Sequence, residues 1–108
     1  MDKATLEKMA TSAFENLTKA RAALFTAAEV AIMEKYLLEE QRADAIAGGV
    51  FDGKNAETRE AQAREHLQPQ YLKLAVAENA ERKARHDFDR ASIEVDTVKT
   101  LLRIAELV

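Results

Sequence analysis

The sequence predicts an all-α fold: a long antiparallel helical hairpin, coiled-coil-like, with an alanine-rich seam and a kink or break near Pro69. Three observations predict it. Apolar residues recur at alternating steps of four and three through two stretches, residues 6–45 and 67–105, the rhythm of a helix seam that meets another helix. All three glycines lie between those stretches, and the single proline stands at 69. Hydrophobic residues make up 47% of the chain and charged residues 32%, a balance that excludes a disordered chain and, being rich in Ala, Leu, Glu, Lys and Arg, favours helix.

The first arm is expected over about residues 3–47. Asp2 can cap its free N–H groups and sits at the positive end of the helix dipole. The seam reads Leu6, Ala10, Ala13, Leu17, Ala20, Leu24, Ala27, Ala31, Glu34, Leu38, Gln41 and Ala45, turning partly polar toward its end. A loop follows at about 48–55. Gly48 suits a left-handed C-terminal cap, Asp52-Gly53 suits a turn, and Asn55 suits the N-cap of the next helix, with Glu57 in its first turn. So short a connection turns the second arm back antiparallel on the first.

Pro69 divides the second arm. Inside a helix it removes a hydrogen bond and clashes with the preceding turn, at a cost of roughly 3 kcal/mol, whereas in a first turn it costs little. A short helix is therefore expected over about 56–67 and a long one over about 69–107, the whole forming one domain, residues 1–108. The second seam reads Leu67, Gln70, Leu74, Ala77, Glu81, Ala84, Phe88, Ala91, Val95, Val98, Leu102 and Ala105. Alanine returns every seven residues at 13, 20 and 27 and again at 77, 84 and 91. Small residues there let two backbones approach closely, and alanine is also the best helix former. Glu34 and Glu81 occupy seam positions, where a polar residue fixes register at some cost in stability.

The arms carry more apolar surface than one seam uses. Phe14, Phe25, Ala28, Ile32 and Tyr36 lie off the first seam, with Met33 and Leu37 beside them; Ile93, Leu101, Ile104 and Val108 lie off the second. Monomers seldom leave so much in water. Either a third segment, residues 56–67, folds over it, or a homo-oligomer (dimer or higher) or a partner protein covers it in a larger bundle. The candidate interaction surface is Phe14, Phe25, Ile32, Tyr36, Val50 and Phe51. Phe51, flanked by glycines, either swings into a partner or tucks back over the helix ends.

Chemistry is sparse. There is no cysteine, which excludes disulfides and thiolate metal sites. Sixteen basic and nineteen acidic residues give a net charge of -3, short of the basic face of a general nucleic-acid binder and of the acidic excess of a DNA mimic. Gly48 to Asn55 fits the phosphate-cradling G-x-x-x-x-G-K pattern but ends in Asn where Ser or Thr would hold magnesium, and a helix precedes it where the motif needs a strand. His66 and His86 stand twenty residues apart without a second ligand at helical spacing. Glu39-Glu40 lies on a helix without an opposed cleft. No enzyme activity, cofactor or metal is expected. Glu78–Arg82 and Glu81–Arg85 are favourable i, i+4 pairs, which makes the charged run around residue 85 a salt-bridged face. Arg82, Lys83, Arg85 and Arg90 are the candidate contacts for a phosphate backbone or an acidic partner. Nucleic acid is thus the less favoured partner. No apolar run of about 18 residues spans a bilayer, and Met1-Asp2-Lys3 lacks a secretory lead, so a cytoplasmic protein is expected.

The segment Gly53-Lys54-Asn55-Ala56-Glu57-Thr58-Arg59-Glu60-Ala61-Gln62, followed by the charged helix that ends Ile93-Glu94-Val95 and Leu101-Leu102-Arg103, resembles small helical proteins encoded by bacteriophages and prophages. In those a G-K-N-A-x-x-R segment likewise opens the second arm. The resemblance covers roughly the C-terminal half. It implies a viral context in a bacterial host's cytoplasm and carries no activity with it. Small secreted helical dimers with a Trp-x-Gly turn do not match, because the chain has no tryptophan. The function expected is a non-enzymatic structural or interaction protein that self-associates and docks onto a partner. It would serve phage replication, recombination or assembly, or inhibit a host factor; the alternative is a nucleic-acid accessory protein.

Overall fold

The computed structural model describes residues 2–107, the last of them by its backbone alone. Val108, one of the surplus apolar residues of the second arm, lies outside the described residues. The fold is all-α, with no strand among the described residues: α1 spans Lys3–Ala47, α2 Ala56–His66 and α3 Gln68–Leu107. The chain resolves into two compact units. The terminal unit comprises the chain up to Thr26 together with the chain from Glu81 on, and the turn unit is Ala27–Ala80.

In the terminal unit α1 starts where its cap dictates. The Thr5 amide donates to Asp2 Oδ1 at 2.7 Å, and hydrogen bonding by the Thr5 side chain, and then by that amide, holds the Asp2 carboxyl below its ordinary range. The core is dry. Ala13, Val95 and Val98 form a buried cluster, with Met9, Ala10, Leu17 and Leu102 packed against it, and Leu6 and Ala91 are buried too. Each full-size aliphatic side chain buried here contributes about 1.5–3 kcal/mol. The arms run antiparallel: Lys99 Nζ lies 5.5 Å over the Phe14 ring, while farther along α1 Asn16 and Ala20 border a shallow hollow with Asp87, Arg90 and Ala91 of α3. The expected seam holds from Leu6 to Leu24 and from Glu81 to Leu102, but Ala105 is exposed. Its short methyl sits in the last turns of α3, where α1 supplies little more than its first turn.

In the turn unit Ala31, Leu38, Ala45, Leu67 and Ala77 are buried, and Ala27, Glu34, Gln41, Gln70 and Leu74 are half-buried. The left-handed residue that ends α1 is Gly49 (φ 72°), one place beyond the expected Gly48. The bond pattern explains the shift. Val50 N donates to Ala45 O and Gly49 N to Ile46 O, both at 3.0 Å, which closes a Schellman motif with Gly48 as the C-cap and Gly49 just past it. Asn55 caps α2 as expected, accepting from Thr58 N at 2.8 Å. Gly53 is required by close approach: a Cβ there would stand 2.7 Å from Thr58 Cγ2.

The second arm is broken rather than kinked. α2 closes at His66, and Leu67 leaves helical geometry (φ -106°, ψ 25°) while its amide still bonds Ala63 O at 2.9 Å. α3 then begins one residue ahead of Pro69, which sits in the first turn, where its missing N–H costs nothing. Ala63, 0% exposed, is the apolar contact that seats α2.

Candidate interaction faces

Successive residues of a helix turn by about 100°. With Ala31, Leu38 and Ala45 marking the inward side of α1, Ile32 and Tyr36 point outward, Met33 lies beside them, and Val30 and Leu37 fall on one flank. All five are exposed: Ile32 70%, Tyr36 63%, Met33 60%, Val30 47% and Leu37 38%. Apart from the half-buried seam residue Glu34 and the exposed Lys35 on the Arg42 flank, α1 is apolar over residues 30–37, and a helix with so broad an apolar surface is ordinarily covered. On α3 of the same unit, Leu72 and Val76 add an exposed i, i+4 pair. Sequence reasoning passed over these two because they fall between seam positions. A helical-wheel count outward from the seam finds them.

The other candidates fare differently. In the terminal unit Phe14 and Phe25 are exposed, as are Ile93 and Ile104, but the Phe14 ring already carries Lys99. At the loop tip Val50 is exposed. Phe51 is half-buried, its ring edge-on to His66 with centroids 6.0 Å apart, and it borders a recess with Ile46, Ala56 and Arg59. Of its two expected conformations the structure holds the tucked one.

One polar cluster was not foreseen. Arg42 of α1 donates through Nη1 to Glu60 of α2, at 3.1 Å to Oε2 and 3.3 Å to Oε1, and to the Tyr71 hydroxyl of α3. Arg64 lies 5.1 Å over the Tyr71 ring and 3.5 Å from Glu60. The Tyr71 hydroxyl, and then Glu60, hold the Arg42 guanidinium above its ordinary range. The cluster fastens α2 to one flank of the α1–α3 pair. Both arginines share the single Glu60 carboxylate and engage Tyr71, one through its hydroxyl and one over its ring, so the cluster acts as a clamp. The signal for it lay in Arg42 and Tyr71, which stand just beside the seam glutamines Gln41 and Gln70.

Several loop amides are committed as well. Gly49 and Val50 close the helix, Gly53 N donates to Gln62 Oε1 at 2.9 Å, and Arg59 Nη1 donates to Gly53 O at 3.0 Å. Gln62 Nε2 also reaches Asp52 Oδ1 at 2.8 Å. The G-K-N-A-x-x-R segment thus has a structural use: its glycine, asparagine and arginine shape and cap the turn. Of the basic candidates, Arg85 pairs with Glu81 at 3.1 Å, as its spacing predicts, and Arg90 stands near Asp87 and Glu94. By helical position Arg82 and Arg85 fall on one side of α3, and Lys83 and Arg90 on the other.

Among the described residues no His, Cys, Asp or Glu grouping could hold a metal ion, and no helix is long and apolar enough to cross a membrane. Comparison with protein-family models, with curated proteins and with solved structures gave no match.

Proposed function

We propose that this chain is a non-enzymatic interaction protein that self-associates and docks onto a partner protein, in the cytoplasm of a bacterial host and in the service of a phage or prophage. The supporting observation is the broad apolar surface of α1 over residues 30–37, where five large side chains are exposed and Lys35 is the one exposed charge. Covering such side chains yields about 25 cal/mol per Å² of apolar surface, a driving force that a solitary hairpin leaves unused. The viral setting follows from the resemblance of the Gly53–Gln62 segment. Within it, the protein would act as an assembly or replication accessory, or as an inhibitor seated on a host factor.

Light scattering on the unaltered chain at micromolar concentration, paired with titration of single- and double-stranded DNA, tests this reading. The expected result is a dimer or larger assembly that the combined Met33→Glu and Leu37→Glu change dissociates without loss of helicity. A monomer at every concentration overturns it. So does DNA binding that falls steeply with salt, the mark of several phosphate contacts and of a nucleic-acid accessory instead.

A further inference from the structure

We propose that a second copy of this chain docks on the flank of the turn unit opposite α2, laying its α1 antiparallel over the first copy's α3 to make a four-helix bundle. This rests on the self-association reading above and adds the face, the orientation and the paired residues.

The Arg42–Glu60 and Arg64–Tyr71 contacts place α2 on the flank that Arg42 shares with Tyr71. On the far side of each seam lie Val30, Met33 and Leu37 of α1 and Lys73, Val76 and Ala80 of α3, all exposed. The Arg42–Tyr71 contact also sets the level of one arm against the other. Counting back along α1 and forward along α3, Glu40 stands level with Lys73, Leu37 with Val76, and Met33 with Ala80. The bare flank is therefore apolar in the middle, with an acid on its α1 edge and a base on its α3 edge. Neither Glu40 nor Lys73 is in an ion pair with another described residue.

This arrangement is self-complementary in one way. A half-turn about an axis parallel to the helices sets α1 of one copy over α3 of the other without changing levels. Leu37 then meets the second copy's Val76, Met33 meets Ala80, and Glu40 meets Lys73. Each contact occurs twice, as a two-fold interface demands. Stacking α1 on α1 instead leaves the acids without bases opposite them. The chosen stacking also makes every neighbouring helix antiparallel, the up-down-up-down bundle in which helix dipoles oppose.

Charge exchange tests it. Sedimentation equilibrium at low salt is run on the unaltered chain, on Glu40→Lys, on Lys73→Glu and on the double variant, with helicity as the folding control. Each single change places like charges together twice per dimer and is expected to weaken association roughly tenfold to hundredfold. The double variant is expected to recover to within about threefold, since it restores opposite charges. An equimolar mixture of the two single variants is expected to form a mixed dimer tighter than either alone. If the unaltered chain associates but the single variants do so equally well, or the mixture gains nothing, this face is wrong while self-association stands. If the unaltered chain is a monomer throughout, both readings fall.

Discussion

The terminal unit and the turn unit pair the same two arms by different means. The terminal unit relies on a mostly apolar seam, in which Leu6, Ala13, Val95 and Val98 are buried, Glu81 is the half-buried polar member, and polar bonds between the arms play little part. The turn unit has a seam diluted by Glu34, Gln41 and Gln70, and Gln70 Oε1 is buried with no hydrogen-bond partner in the protein. It is held instead by capped helix ends, by Gln62 bridging the loop, and by the Arg42 clamp on α2. It also exposes five large apolar side chains within residues 30–37. The stretch with the weaker internal seam thus carries the richer outer surface, as expected where part of the stabilisation comes from a neighbour.

If that contrast is right, apolar truncation should hurt most in the terminal unit. Leu6→Ala is expected to cost about 2–3 kcal/mol in chemical denaturation, toward the low end of the range for buried leucines because it lies near an arm's end. In the turn unit the vulnerable groups are backbone ones. Gly53→Ala should cost about 1–3 kcal/mol, because its Cβ would collide with Thr58, and Thr58→Ala in the same chain should recover part of that. Next comes the pair that ends α1. Gly49→Ala is expected to cost about 1 kcal/mol for a forced left-handed conformation, whereas Gly48→Ala meets only ordinary contacts and should be neutral or slightly stabilising. A reversed order at these two positions would break the Schellman assignment.

The smallest effect belongs to the exposed cap at Asp2. Its carboxyl is held below its ordinary range by the bonds to Thr5, so its contribution is present above the unfolded-state value and is lost as pH falls through the folded-state one. Amide exchange in the first turn of α1 should accordingly quicken on acidification relative to the intrinsic rate, and Asp2→Asn should remove that pH dependence.

Much of this was legible from spacing. The steps of four and three located every buried or half-buried seam position from Leu6 to Ala45 and from Leu67 to Leu102, because a helix seam imposes that period on sequence. The caps at Asp2 and Asn55 were legible for the same local reason. What escaped depends on contacts distant in sequence. Gly49 displaced Gly48 because the closing bonds of the helix, not the first glycine met, decide which residue turns left-handed. The inward turn of Phe51 depends on His66 being across the loop, and the Arg42 cluster joins residues from three helices. Of the outer faces, the residues on α1 were legible as surplus, while Leu72 and Val76 fall between seam positions and emerge only from a helical-wheel count outward from the seam.

The central claim, that α1 of the turn unit is covered by another chain, is tested most directly by methionine oxidation at rising protein concentration, read peptide by peptide by mass spectrometry. Met33 is exposed on the isolated chain and Met9 is half-buried in the terminal core, so each calibrates the other. The account predicts that Met33 oxidation slows as concentration rises while Met9 keeps its rate. Met33 oxidising at one rate at every concentration, and faster than Met9, would contradict it.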